Sequence, residues 1–564
     1  MSLIRKFRRL YEDQVLRQWF YGWLLGKWKF TPIYKLSPDY LVDTDLYEDL
    51  PVNANLFQER FYQKPVMAEN FEFAGEAHKL DPDLYKQIDE TLFVDIESKL
   101  AFHRFSWVAE AGKKLDPDWV VALWVLWVKK YSKAFSSQAW HPYTVSERLI
   151  NILQFSGRFG IPEPKDQTIN LLLQHGRKIY QNLEYFGETH TGNHLANNGR
   201  GLYLGGLMLG ISSWVDIGCK ILLEESRRIF SESGELREGS VHYHLLASRW
   251  YVECWLAAKK YGRKEEPCFE RIASSVLSVL PIFNMPAGLP LIGDISPDCS
   301  PSYLLCLLDG TKSGWLAELA PDQQKALSEL KKNIDRNNLK TYRLNNWRRT
   351  DVGSWAAIWH STLDGWQPLP GHGHQDFGSF ELHYDKISVF IDLGRRSYGV
   401  TGESDKHAQS HNILTIDGIP PYPENKPCYS DEFRKFVTGS GPIWKGNLND
   451  INVETSCFSR IKGIGVWRRS WNFTDKEVTI SDTIEGKGRH TILRYLHTNH
   501  SARNCNGGVI FGPFKVSGSG KPVLQTTKYW KSYGKNGDAM TIIFSDVVSL
   551  PSSLSLTVSL DKAV

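Results

Sequence analysis

The hydrophobic pattern of this chain changes period once, and that change restricts its fold more than any other feature. From about residue 80 to 330, apolar residues recur with a period near 3.6; beyond a polar run, Lys331-Lys332-Asn333-Ile334-Asp335-Arg336-Asn337-Asn338, they alternate with period 2. A run of helices followed by a run of short strands implies two segregated domains rather than one α/β sheet. In the first part, Asp116-Pro117 supplies an N-cap and a proline at the first helical turn, and Val120, Trp124, Trp127 and Tyr131 follow at spacings of four, three and four. Further helices are expected at 145–155, 167–185, 214–230, 243–261 and 269–280, joined by short loops that favour antiparallel helical hairpins. In the second part, 380–384, 387–391, 413–416, 478–481, 492–496, 541–544 and 554–559 read as strands separated by Gly, Asp and Asn turns. The resulting division is 1–40, a basic aromatic segment; 41–335, helical; and 345–564, antiparallel β.

Composition excludes several classes. With 41% hydrophobic and 13% aromatic residues the 564-residue chain is neither disordered nor collagen-like. Lys+Arg 67 against Asp+Glu 63 leaves a formal +4, too little for a nucleic-acid-gathering field, so any acidic ligand must be met by placed groups. Eight scattered cysteines without a C-x-x-C pair read as thiols of a reducing compartment. The basic N-terminus lacks an apolar signal core and no apolar stretch is long enough to span a bilayer, so the expected location is cytoplasmic. The segment from Arg5 to Phe30 mixes cations with Trp19, Phe20, Tyr21, Trp23 and Trp28. It reads either as an amphipathic helix docked on the protein's own core or as a peripheral contact with an anionic membrane.

Three polar segments flanked by glycine could carry chemistry: 189–200, a loop running into a helix start; 237–244, just ahead of an apolar helix; and 371–378, at the entrance of a strand. Each also has an ordinary reading as caps and turns. The third has the most company. If a strand begins there, His372 and His374 share a face, and His374 with Asp392 and His411 forms a borderline-metal donor set for which zinc is the natural ion, structural or catalytic.

Gly192-Asn193-His194, Glu238-Gly239-Ser240-Val241-His242-Tyr243, Gly293-Asp294, His372-Gly373-His374-Gln375-Asp376 and His411-Asn412-Ile413-Leu414 occur in the order found in the heparinase II/III-like polysaccharide lyases, a family that includes alginate lyases. The resemblance runs over roughly residues 100–560. It implies an α+β multidomain fold, an incomplete (α/α) toroid followed by an antiparallel β-sandwich. The activity it implies is β-elimination in a uronic-acid polysaccharide, leaving a 4,5-unsaturated uronate end, within bacterial cell-surface polysaccharide metabolism. By the same resemblance Asn193 and His194 neutralise the uronate carboxylate, Tyr243 delivers a proton to the leaving O4, and His372 is the base for one C5 epimer or a partner of Tyr243. His374, Asp392 and His411 match a structural zinc site. Arg200, Arg237, Asn197 and His242 are candidates for substrate binding; Asn197 stands where some relatives carry Glu. Two other readings remain open: a non-lytic carbohydrate-binding or polysaccharide-assembly protein, and a zinc-dependent hydrolase.

Overall fold

The computed structural model describes residues 10–28, 35, 37–41, 57–334 and 341–561. The cations Arg5, Lys6, Arg8 and Arg9, the interdomain run 335–338 and residues 42–56 of the expected helical domain lie outside the described residues.

The N-terminal segment contributes α1 (Gln14–Leu24), started by the Asp13 side chain accepting from the Leu16 N–H. Trp19 and Gly22 are buried, Trp28 packs on Phe433 at 5.3 Å, and Lys426 pairs with Asp13 at 3.3 Å. The helix thus docks on the protein's own β region, while Tyr21, Leu24 and Leu25 stay exposed. Among the described residues no helix is long and apolar enough to cross a membrane.

The helical region opens with a hairpin, β1 (Glu69–Phe73) and β2 (Glu76–Leu80), then builds an incomplete toroid. Its longer helices are α2 (Ile96–Arg104), α3 (Pro117–Tyr131), α4 (Pro142–Phe159), α5 (Lys165–Gln181), α6 (Asn193–Leu209), α7 (Ser212–Ile229), α8 (Val241–Lys260), α9 (Glu266–Val279) and α10 (Pro321–Asn333). The Asp116 cap and Pro117 start α3 as the sequence predicts, and its Trp124 and Trp127 stack at 5.7 Å inside the core. The helix α10 absorbs Lys331, Lys332 and Asn333, so the expected boundary begins inside a helix.

The β region starts earlier than its sequence alternation suggests. A five-stranded antiparallel sheet runs in chain order through β3 (Thr341–Arg343), β4 (Trp347–Val352), β5 (Trp355–His360), β6 (Phe380–Tyr384) and β7 (Ile387–Phe390). The chain continues through β8 (Leu414–Ile416) and helix α11 (Asp431–Thr438) to β9 (Ile443–Gly446), β10 (Asp450–Thr455), β11 (Ile464–Phe473) and β12 (Glu477–Gly486). Next come β13 (Arg489–Thr498), β14 (Ala502–Cys505), β15 (Gly508–Phe511) and β16 (Phe514–Gly518). The last three strands are β17 (Lys521–Ser532), β18 (Lys535–Ser549) and β19 (Ser552–Leu560). They complete a four-stranded sheet, β8-β13-β18-β17, and an eight-stranded one, β9-β10-β11-β12-β19-β16-β15-β14. Trp359, Phe380, Ile492, Phe544, Trp467 and Trp471, drawn from all three sheets, share one core. The other face of the five-stranded sheet, with Trp347, Ala356 and Ile358, packs into the core of α8 and α9. That double burial places the loop after β5 against the toroid.

Candidate active site at the toroid–sandwich junction

Main-chain hydrogen bonds stitch three chain segments together at the junction. The His372 N–H donates to the Glu238 carbonyl at 2.6 Å, the Asp294 N–H to the His372 carbonyl at 2.9 Å, and the Val241 N–H to the Ile292 carbonyl at 3.1 Å. Two glycines make this approach possible. Gly293 has φ +83° and a Cβ there would lie 2.4 Å from the Gly239 oxygen; Gly239 has φ +73° and faces Gly373. The segment 371–379 is a loop between β5 and β6, not the start of a strand, so His372 and His374 converge through turns rather than through a shared strand face.

Side chains converge on the same point. Asn193 is the first residue of α6, its N–H donating to Glu238 Oε1 at 2.7 Å, and Tyr243 lies in the first turn of α8, where the Ser240 hydroxyl accepts its N–H. The Tyr243 ring stacks on His372 with centroids 3.5 Å apart, and Asn193 Nδ2 is 3.4 Å from His372 Nε2. His372 Nδ1 donates to Asp294 Oδ2 at 2.9 Å, which leaves Nε2 as an acceptor facing Asn193, with Glu238 Oε2 at 3.5 Å. Two helix N-termini, each a site of partial positive charge, therefore border one imidazole.

Electrostatics sort these groups by role. Burial pushes the Tyr243 phenol well above its ordinary range, so it stays protonated. Burial also raises Glu238. Burial would raise Asp294 too, but hydrogen bonds from His372 and His374 (2.8 Å) and the Arg395 guanidinium (2.7 Å) hold it far below the usual carboxylate range. His194, the next residue of α6, is half-exposed with its ring 4.6 Å from Tyr143. Burial lowers it, yet the Glu184 carboxylate at 2.7 Å more than offsets this and raises its pKa.

Of the expected substrate-binding residues, only Arg237 is exposed, on the wall of a cleft of about 1050 Å³ that also borders Glu238. Arg200, Asn197 and His242 are corrected by the structure. Arg200 is 1% exposed, paired with Glu147 at 2.6 Å and Glu253 at 2.7 Å inside the toroid. Asn197 is fully buried and accepts from Arg200 at 3.2 Å. His242 accepts the Ser296 N–H at 3.0 Å and is pushed down to about 3 by burial, hence neutral. Arg200 ties α6 to α4 and α8, Asn197 holds the Arg200 side chain from the same helix, and His242 fixes the loop at Ser296.

The expected metal ligands meet in the same neighbourhood. The His374 and His411 rings are 5.2 Å apart, both are fully buried, and His374 Nδ1 and His411 Nε2 have no hydrogen-bond partner among the described residues. Asp392 accepts from His411 Nδ1 at 2.7 Å and from the Gly394 N–H at 3.0 Å, so it stands behind one imidazole rather than beside both. Among the described residues no group of three or more His, Cys, Asp and Glu side chains is arranged to hold a metal ion. Two orphaned ring nitrogens fit a divalent ion; Asp392 as placed fits the carboxylate that orients one of them.

Sequence reading missed Tyr398, whose hydroxyl is 2.5 Å from that of Tyr243 and over whose ring Arg395 sits at 4.5 Å. It also assigned no role to Glu184, Glu238, Asp294 or Arg395. The signal available was the run Gly394-Arg395-Arg396-Ser397-Tyr398-Gly399, charged and aromatic between glycines, just after Asp392.

Comparison with known proteins places this arrangement. A family model described as Heparinase II/III N-terminus matches residues 47–286, and one described as Heparinase II/III-like, C-terminal matches 335–525. The solved structure of heparinase III aligns with TM-score 0.61 at 16% identity over 83% of this chain and 77% of that one. Heparan sulfate lyase HepC from Pedobacter heparinus aligns in a mutant form with TM-score 0.53 at 15% identity over 100% and 91%. No curated protein sequence matches the chain. At such identities the solved structures establish the common fold, while the two models cover the toroid and much of the sandwich in the same order. On that ground the chain belongs to the heparinase II/III-like family.

Proposed function

We propose that the protein is a polysaccharide lyase that breaks the C4–O4 bond of a uronate residue by β-elimination. The observation that carries this reading is the convergence of Asn193, Tyr243 and His372, with Tyr243 stacked 3.5 Å from His372. The C5 proton of a uronate is poorly acidic while the adjacent carboxylate keeps its full charge. The Asn193 amide, protonated His194 and the nearby helix N-termini offset that charge and the negative charge that develops beside it. His372 Nε2, with Nδ1–H held by Asp294, takes the C5 proton; electrons form C4=C5 and expel O4, which takes a proton from the Tyr243 phenol. Asp294 keeps the His372 tautomer in the accepting state, and Tyr398 holds the Tyr243 hydroxyl in place.

A structural zinc ion belongs to the same proposal. His374 Nδ1 and His411 Nε2 would hold it, with Asp392 fixing the His411 tautomer, and the ion would tie the loop bearing His372 to the end of β7 and the start of β8.

The test is incubation with a panel of uronate polymers while following the ultraviolet absorbance of the C4=C5 product. Tyr243→Phe should lower kcat by about 10²–10⁴-fold while retaining affinity. Absence of the chromophore from every polymer, or product masses that include added water, would remove the elimination reading.

A further inference from the structure

Two cavities flank the Gly371-His372-Gly373 turn. The larger, about 1050 Å³, passes Glu238 and Pro370 toward Arg237. The smaller, about 490 Å³, opens beside Asp294 and Gly373. Gln367, Leu369, Asn425, Lys426 and Pro427 line both, so the two form one groove that runs past Glu238, Asp294 and Arg395 beside the proposed site.

The cations of this groove are nearly all committed to the protein's own carboxylates. Arg228 is held by Glu188 and Glu225, Arg434 by Asp431, and Lys426 by Glu424 and Asp13. Arg395 is held by Asp294 and Glu403, and Lys406 by Glu403. Among the described residues Arg237 is the one groove cation whose side chain enters no ion pair or hydrogen bond, and it is exposed. The lining of the larger cavity also includes Glu232, exposed and likewise unpaired among the described residues, and Asp364.

This charge inventory fits a sparsely charged ligand. Sulfate esters stay ionised at every working pH, and each one entering the groove needs its own cation, best an arginine fork, or it meets the groove's carboxylates unneutralised. A polymer with one carboxylate per uronate needs one mobile cation beside the groups that already face the reacting sugar.

We propose that the groove selects uronate polymers that carry carboxylates but no sulfate, with Arg237 binding the carboxylate of a sugar next to the one cleaved and Glu232 disfavouring sulfated chains. This proposal rests on the lyase reading for its rate assay and has a separate binding assay. Polymers sharing a backbone are compared in pairs: heparosan with heparin, and chondroitin with chondroitin sulfate, with polymannuronate as a further sulfate-free probe. The unsulfated member of a cleaved pair should show at least about tenfold higher kcat/KM, the scale of one unneutralised charge contact. Arg237→Ala should cost about tenfold in kcat/KM on sulfate-free polymer, mainly through KM, with part recovered in Arg237→Lys. Glu232→Lys should narrow the gap between pair members. A sulfated polymer cleaved as fast as its partner, or an Arg237→Ala variant with unchanged KM, overturns the proposal. If no polymer is cleaved, the lyase reading falls by itself, and calorimetric titration of the Tyr243→Phe protein with the same pairs decides the charge preference. Tighter binding of the unsulfated members sustains it; equal, inverted or absent binding overturns it.

Discussion

At the scale of single residues, what could be read in the sequence were the groups that sit beside glycine in short polar segments: Asn193, Tyr243 and His372. Their company could not be read, because it comes from far along the chain. Tyr398 is 155 residues from Tyr243, and Asp294 is 78 from His372. Arg200 shows the converse error: an arginine near a polar segment suggests an anion site, yet the helix turns it inward to Glu147 and Glu253. The His194–Glu184 pair yields a prediction about pH. Glu184 raises the His194 pKa against burial, and removing its charge should let that pKa fall. In the proposed mechanism protonated His194 is the form that offsets a substrate carboxylate, so the alkaline limb of the kcat/KM profile in Glu184→Gln should move to lower pH. An unchanged limb would show that His194 takes no part as a cation. The sign for stability follows from the same shifts. The Glu184 carboxyl is lowered, by His194 against burial, so its contribution is present above the unfolded carboxylate pKa of about 4.3 and is lost as pH falls through the lowered value. The His194 contribution is full below about 6.5 and lost as pH rises through its raised value. The variant should therefore be most destabilised between those limits, as thermal melts across pH will show.

At the scale of elements, periodicity found many of the helices and strands that bury one face, though it passed over β10 and β11, whose side chains also alternate between core and solvent. It did not find β5, because every residue of Trp355–His360 is buried: alternate side chains enter the sandwich core and the toroid core, and a strand buried on both faces carries no polar alternation. Likewise α6 reads as a loop entering a helix because Gly199, Gly201, Gly205 and Gly206 carry a helical penalty of roughly 1 kcal/mol each. Tertiary packing reverses this. A Cβ on Gly206 would lie 2.8 Å from the Val215 nitrogen, and one on Gly201 would lie 2.9 Å from Ser146, so the glycines let α6 settle against α7 and α4. The loop from β5 to β6 is the element the proposed zinc would secure. Purified protein should contain about one zinc per chain, chelation should lower the melting temperature by several degrees, and His411→Ala should lose the metal. Folded wild-type protein that binds no divalent metal would dismiss the zinc assignment.

At the scale of the molecule, the site exists only because the sandwich is pressed onto the toroid. Beside the five-stranded sheet, a second contact holds them: the β17–β18 hairpin reaches the β1–β2 hairpin, where the Tyr533 hydroxyl donates to Asp95 and accepts the Tyr398 N–H at 3.0 Å, and Lys535 pairs with Glu72. Gly75, at φ +86°, lies so close that a Cβ would be 2.5 Å from the Tyr533 carbonyl oxygen. Gly75→Ala should therefore cost about 2 kcal/mol or more, from left-handed strain and the collision together, and weaken the coupling of the two regions in denaturant unfolding. Melting and cooperativity like those of wild type would show that this latch carries no load. The sequence by itself determined the two-part plan and many of the helices and strands with one wet face, because periodicity is a local property of the chain, and its short polar motifs offered Asn193, Tyr243 and His372 as candidates through their resemblance to a known family. Only the tertiary structure decided which arginines are spent on buried carboxylates, which strands lie between two cores, and which tyrosine meets Tyr243. Those depend on the close packing of segments far apart in the chain, 53 residues for the Arg200 pairs and 155 for the two tyrosines, for which no local pattern is needed.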